Sequence, residues 1–153
     1  MIFVTLGSQK FQFNRLLQAV NKLQTDDEIF AQIGYSDYKP KHYKYKRFLD
    51  REEYAKVMVL SDIVITHGGT GAIISAVKKG KKVIAVPRLK KYGEHVDDHQ
   101  IQLVNQFTDL NLICPCVDCD IQKALNTVKK STYASYQSNT ARIIRSLEEF
   151  INE

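Results

Sequence analysis

A histidine, three glycines and a threonine stand together in His67-Gly68-Gly69-Thr70-Gly71. They join an apolar run, "DIVIT", to a helix-like stretch that closes at Gly80. Residues of these types at a strand-to-helix junction suit an anion. Backbone without side chains can approach a ligand closely. The first N–H groups of a helix lack partners, and the helix dipole attracts phosphate. Thr70 adds a hydroxyl donor. A second loop of low bulk, Gly7-Ser8-Gln9, follows the first apolar run, "MIFVTL". Two such loops on one edge suit a diphosphate. Each is equally readable as a tight turn, and the residue types leave both readings open.

The glycine pattern excludes two common nucleotide sites. It is not G-x-G-x-x-G after a first strand, and no acidic residue closes the second strand as a nicotinamide site would need. It is not G-x-x-x-x-G-K-[ST] either, and without that lysine and hydroxyl an ATPase is not expected. A third polar segment, "RLKKYGEHVDDHQ", gathers Arg88, Glu94, His95, Asp97, Asp98, His99 and Gln100. His95 and His99 are four apart, which suits a metal if helical, but the order H-E-x-x-H is absent and no metal is expected. Carboxylates, amides and imidazoles also hydrogen-bond sugar hydroxyls. Ligand contact is expected for His99 and Gln100, and helix capping for Asp97. The three cysteines in "CPCVDC" have no fourth ligand nearby, so they read as free thiols.

The elements that position these loops alternate along the chain. "MIFVTL", "EIFAQI", "YKYKRFL", "DIVIT", "KVIAVP" and "NLICPC" read as six strands. Helices are expected over "FNRLLQAVNKLQ", over "REEYAKVMVLS" capped by Asp50, from Thr70 to Lys79, from Asp97, and over "DIQKALNTVKK". A long amphipathic helix is expected over about 133–151. This order predicts an α/β fold, a Rossmann-like doubly wound parallel sheet of about six strands with helices on both faces. Ligands of such sheets bind outside the carboxyl ends of the strands, where the three loops lie.

A length of 153 residues suits one domain, 1–153, with one core. Hydrophobic residues at 44% and charged residues at 25% are ordinary for a globular protein. No apolar run approaches the ~20 residues that cross a bilayer, and "MIFVTLGSQ" lacks a basic signal-peptide start, so a cytoplasmic protein is expected. The net charge of +5 fits an anionic ligand or membrane surface, and equally an ordinary soluble protein. No zinc finger, basic arm or RNA-binding aromatic signature is present, so nucleic acid is not an expected partner.

The segment "THGGTGAIISAVKKGKKVIAVPRLKKYGEHVDDHQ" resembles the donor-binding, C-terminal half of family 28 glycosyltransferases of the GT-B fold. Similarity extends from "VTLGSQ" to the last helix. It looks closest to small bacterial galactosyltransferase subunits of capsule and exopolysaccharide assembly. It also resembles the catalytic subunit of the eukaryotic two-part dolichol-linked GlcNAc transferase. The resemblance implies a UDP-sugar donor and no metal or other cofactor. By motif position, Gly7 and Ser8 would line the diphosphate loop. His67, Gly68, Gly69, Thr70 and Gly71 would face the phosphates and ribose. Phe48 and Leu49 would lie beside uracil, Arg88 belongs to the donor-binding series, and His99 and Gln100 would contact sugar hydroxyls. His67, His95 and Glu94 are the catalytic candidates.

One departure matters. Many relatives carry a glutamate that grips the ribose hydroxyls from the helix after the glycines, and Ser75 holds that position here. A GT-B enzyme also needs a second domain. The resemblance therefore implies a membrane-anchored acceptor-side GT-B half as partner, carrying the general base and a lipid-diphosphate-linked saccharide site at the inner membrane face. The long terminal helix is a docking candidate. A non-catalytic partner subunit that stabilises or activates a transferase is the alternative.

Overall fold

A computed structural model describes residues 1–135. The expected terminal helix lies outside them, except that 133–135 are neither helix nor strand. The elements in chain order are β1 (Ile2–Thr5), α1 (Asn14–Asn21), β2 (Ile29–Gln32), β3 (Lys44–Lys46), α2 (Arg51–Leu60) and β4 (Ile63–His67). Then follow α3 (Thr70–Lys78), β5 (Lys82–Val86), a single 3₁₀ turn (Lys90–Tyr92), α4 (His99–Asp109), β6 (Cys114–Pro115) and α5 (Ile121–Lys130). The strands form one parallel sheet in the order β3-β2-β1-β4-β5-β6. The doubly wound α/β fold is as the alternation predicts.

Central strands of such a sheet are covered on both faces, which is why they read as unbroken apolar runs rather than alternating ones. Successive side chains nevertheless go to opposite layers. Ile2, Val4, Ile63 and Ile65 pack on one face against Leu16, Leu17 and Val20 of α1 and Ile121, Leu125 and Val128 of α5. Phe3 and Val64 face the other layer, with Met58 of α2, Ile73 and Val77 of α3, and Val104 and Phe107 of α4. Each fully buried side chain of this size contributes about 1.5–3 kcal/mol. Asp50 caps α2 in a capping box: its carboxylate accepts the Glu53 N–H at 2.7 Å.

Several boundaries differ from expectation: β3 covers only Lys44–Lys46 of "YKYKRFL", and α1 ends at Asn21. The sixth strand pairs only at Cys114 and Pro115. Asn111 turns the chain out of α4 with φ +56, and Leu112 and Ile113 cover the second core layer before the sheet is reached. Helix α4 begins at His99 with Asp98 at the N-cap. Asp97 lies one residue outside, yet its carboxylate accepts the His99 N–H at 2.9 Å, so it satisfies an N-terminal donor from there.

Candidate functional site

Strands β1 and β4 are neighbours, but the helices that follow them cover opposite faces: α1 packs in one layer and α3 in the other. The two connecting loops diverge at this point, and a crevice opens between them. The resulting cleft holds about 500 Å³. Gly7, Ser8 and Gln9 form one wall, Gly69 to Ala72 the other, with His67 between and His95, His99, Gln100 and Leu103 along the α4 side.

His67 ends β4 and is 5% exposed. Its imidazole is wedged between the two glycine loops. A Cβ on Gly7 would lie 2.4 Å from His67 Nε2, and one on Gly69 would lie 2.2 Å from His67 Cε1. No side chain fits at either position, and Gly7 also has φ +72. These glycines therefore serve the histidine as well as any ligand. Burial, then the nearby Arg88 cation, push the His67 pKa down to about 3, so the ring is neutral at neutral pH.

Helix α3 starts at this wall with Gly69 as N-cap and no side-chain cap. Thr70 Oγ1 is buried without a hydrogen-bond partner among the described residues, and so is Gln9 Oε1. Both residues line the cleft. The Thr70 hydroxyl, a free donor beside an uncapped helix N-terminus, makes this wall anion-receptive, whereas the Gln9 oxygen can only accept and suits a ligand hydroxyl.

On the far side, Gln100 is 2% exposed. Its Oε1 accepts the backbone N–H of Gly68 at 3.0 Å and of Arg88 at 2.9 Å. Its Nε2 lies 3.2 Å from His67 Nδ1. His95 Nδ1 is 3.1 Å from the Asp97 carboxylate and its Nε2 is 3.3 Å from Gln9 Nε2, with Phe11 stacked on the ring.

Comparison with known families decides what this arrangement belongs to. Residues 1–153 match the glycosyltransferase family 28 C-terminal domain. The chain belongs to this family. Among solved structures, ALG13 superposes with a TM-score of 0.63 at 17% identity, covering 99% of this chain and 96% of that one. CalG4, the calicheamicin glycosyltransferase, gives 0.61 at 17% identity over 99% of this chain, and MurG of Acinetobacter baumannii gives 0.58 at 17% over 96%. The family 28 chain spans 37% of CalG4 and 49% of MurG. Comparison with curated proteins gives no match. At these identities the structures establish the shared fold, that of a GT-B C-terminal domain.

Within this family 28 domain, several expected site residues stand elsewhere than in the cleft. Glu94 is buried: it accepts Arg15 Nε at 3.1 Å and Nη2 at 3.0 Å, and also the Leu89 N–H. A carboxylate so engaged is a structural anchor and has no path to a reacting group. Arg88 is 1% exposed and turned beneath the loops. Its guanidinium donates to the carbonyls of Leu6, Phe11 and Glu94 and lies over the Phe13 ring. It holds the β1 loop to the β5 loop and does not line the cleft. Phe48, 46% exposed, stands edge-on to Tyr35 at the carboxyl end of β3, while Leu49 packs into the second core layer. Ser75 meets the phenol of Tyr54 on α2, one helical turn beyond the cleft-lining Gly71 and Ala72. Among the described residues no three His, Cys, Asp or Glu side chains gather as a metal site.

Sequence reasoning missed Arg15 and the part played by Gln9. Arg15 sits in the first turn of α1 and meets Glu94 across 79 positions. No short-range spacing announces such a pair.

The buried His67 has a consequence for stability. Its folded pKa of about 3 lies below its ordinary 6.5, so the unfolded chain binds the extra proton first as pH falls. The stability contribution is fully present above pH 6.5 and is lost progressively as pH drops toward 3. The expected slope is about 1.4 kcal/mol per pH unit. Urea unfolding at pH 7 and pH 5 should show a smaller loss in His67→Gln than in the parent protein. An equal loss in both would refute the assignment.

Proposed function

We propose that the cleft binds the diphosphate of a UDP-sugar and that this chain is the donor-binding, catalytic subunit of a two-component inverting glycosyltransferase. The observation that carries this reading is convergence. The uncapped N-terminus of α3, the unpartnered Thr70 hydroxyl and the neutral His67 imidazole all border one cleft at the switch point. Preorganised donors of this kind stabilise the negative charge that develops on departing UDP. Transfer then needs no divalent metal. The exposed aromatic pair Tyr35 and Phe48 shares the carboxyl edge and offers a face for uracil.

Of the three catalytic candidates, His95 suits proton acceptance. Its Nδ1 rests on Asp97, which orients the ring, and its Nε2 lies on the cleft side with Gln9. The acceptor hydroxyl oxygen attacks the anomeric carbon, the bond to the β-phosphate breaks with its electrons leaving on UDP, and the hydroxyl proton passes to His95 Nε2. This places the base in the donor half rather than in the partner. The acceptor is a lipid-diphosphate-linked saccharide of capsule or exopolysaccharide synthesis, with galactose the favoured sugar and GlcNAc next. Its binding site comes from a membrane-anchored acceptor-side GT-B subunit. The match to a family 28 C-terminal domain supports a donor-side role for this domain. Among the described residues no helix is long and apolar enough to cross a membrane, and the partner supplies attachment at the inner face.

Calorimetry with UDP should give saturable binding that EDTA leaves unchanged. No UDP binding, with or without the acceptor-side subunit, would end the donor-site reading. With that subunit co-expressed, His95→Ala should keep UDP affinity and lose about 10²-fold or more of transfer. Unaltered transfer would return the base to the partner.

A further inference from the structure

We propose that Gln100 is a positioning residue whose amide locks His67 in one tautomer, with the proton on Nε2 and that N–H presented to the cleft. The resemblance would make Gln100 a contact for sugar hydroxyls. The structure gives its amide another occupation.

The orientation of the amide follows from its partners. Gly68 N–H and Arg88 N–H are fixed peptide donors, and both point at one atom of the Gln100 side chain, at 3.0 and 2.9 Å. Only an oxygen can accept two N–H groups, so that atom is Oε1 and the other is the NH₂ nitrogen. The NH₂ can only donate. It lies 3.2 Å from His67 Nδ1, which must therefore accept and carry no proton. A neutral imidazole with Nδ1 bare has its proton on Nε2. Turning the ring over would put a carbon against the amide and leave a buried NH₂ without an acceptor.

Nε2 faces the Gly7 loop, and among the described residues it has no hydrogen-bond partner. It therefore carries an N–H into the cleft next to the uncapped start of α3. The ring cannot swing away from this position, because Gly7 and Gly69 close on it from both sides. Burial keeps the imidazole neutral, so the donor does not depend on a charged ring. The same oxygen of Gln100 ties Gly68 to Arg88, so one buried amide sets both the backbone of the phosphate wall and the proton on its histidine. The lock itself is independent of the ligand. Its use, donation of a hydrogen bond to an anionic oxygen, rests on the UDP-sugar reading.

The test uses the ¹⁵N-labelled chain at neutral pH and long-range ¹H–¹⁵N correlation of the imidazoles. The His67 resonance, assigned with His67→Gln, should show a protonated Nε2 and a bare Nδ1. Gln100→Glu keeps the side-chain shape and leaves one oxygen for Gly68 and Arg88. Its second oxygen, ionised, can only accept, so His67 should gain a proton on Nδ1, as the other tautomer or as the imidazolium. Gln100→Met adds no charge and removes the donor, so both tautomers should become populated. Backbone ¹H–¹⁵N spectra report whether each variant is folded, and either folded variant suffices. A parent protein with Nδ1 protonated overturns the proposal. So does a folded variant in which the His67 pattern stays unchanged. By calorimetry, UDP affinity in Gln100→Met should fall in proportion to the share of His67 that leaves the Nε2–H tautomer, about twofold for an even mixture. If the parent tautomer is as stated but the parent protein binds no UDP, the donor-site reading fails and the lock stands.

Discussion

Replacing Arg15 by methionine is expected to lower the free energy of unfolding by about 3–5 kcal/mol, the cost of stranding a buried charge. Exposure is what makes this the costly direction. The Glu94 side chain is 3% exposed, while Arg15 is 22% exposed. Without Arg15 the carboxylate keeps one hydrogen bond, from the Leu89 N–H, with the Arg88 cation nearby but not bonded to it, and has no water to turn to. The reverse change is milder. In Glu94→Gln the guanidinium keeps the Pro87 carbonyl and the Tyr92 ring and can reach solvent. The amide oxygen can still accept from Leu89. A loss of about 1–2 kcal/mol is expected there, the scale of a hydrogen bond weakened but not abandoned. Urea unfolding of both variants checks the order. A larger loss in Glu94→Gln would mean that the pair matters through the arginine and not through the buried carboxylate. Because Glu94 precedes His95 directly, Arg15→Met should also loosen the wall that carries the proposed base.

Gly69→Ala is expected to weaken UDP binding about tenfold or more, since one mispositioned donor costs on the order of a hydrogen bond to a charged group. The added Cβ would stand 2.2 Å from His67 Cε1. The imidazole is held at Nδ1 by Gln100 and bordered by Gly7, so it cannot yield without moving the wall. Overpacking of this kind also costs about 1–3 kcal/mol of stability. Gly71, two residues on, makes the contrast. A Cβ there meets nothing within 4 Å, and the residue is inside α3. Gly71→Ala should therefore stabilise the domain by up to about 1 kcal/mol through helix propensity. Thermal unfolding should move in opposite directions for the two variants. Equal shifts would show that the wedge around His67 is looser than the structure gives it.

These glycines illustrate how far the sequence can be read. The bare backbone at Gly68-Gly69 and at Gly7 is legible as a close approach, because turn chemistry and the start of a helix are local. A diphosphate was the only visitor that the residue types suggested. That the same glycines also make room for a histidine side chain was not legible, since His67 and Gly7 are brought together only by the pairing of β1 with β4. The polar segment after β5 shows the same limit. Arg88, Glu94, His95, Asp97, His99 and Gln100 look alike in a chain of letters. In the fold, Arg88 and Glu94 brace the loops from beneath, Asp97 turns to His95 and His99, and only His95, His99 and Gln100 border the cleft. Gln100 was expected to meet a ligand, and its amide is instead engaged by two backbone donors and a ring nitrogen.

The sequence by itself determined the succession of strands and helices, the Asp50 cap, and the two low-bulk loops at the ends of the first and fourth strands. It also carried the family motif. These are consequences of periodicity, capping and turn preference, which act over a few residues. Tertiary structure alone decided the strand order that sets β1 beside β4 and opens the crevice. It also decided which of the clustered polar groups are buried as braces and which reach the cleft. Burial depends on what the rest of the chain packs against a side chain, and so does the proton on His67. For Arg15 and Glu94 that packing comes from 79 residues away.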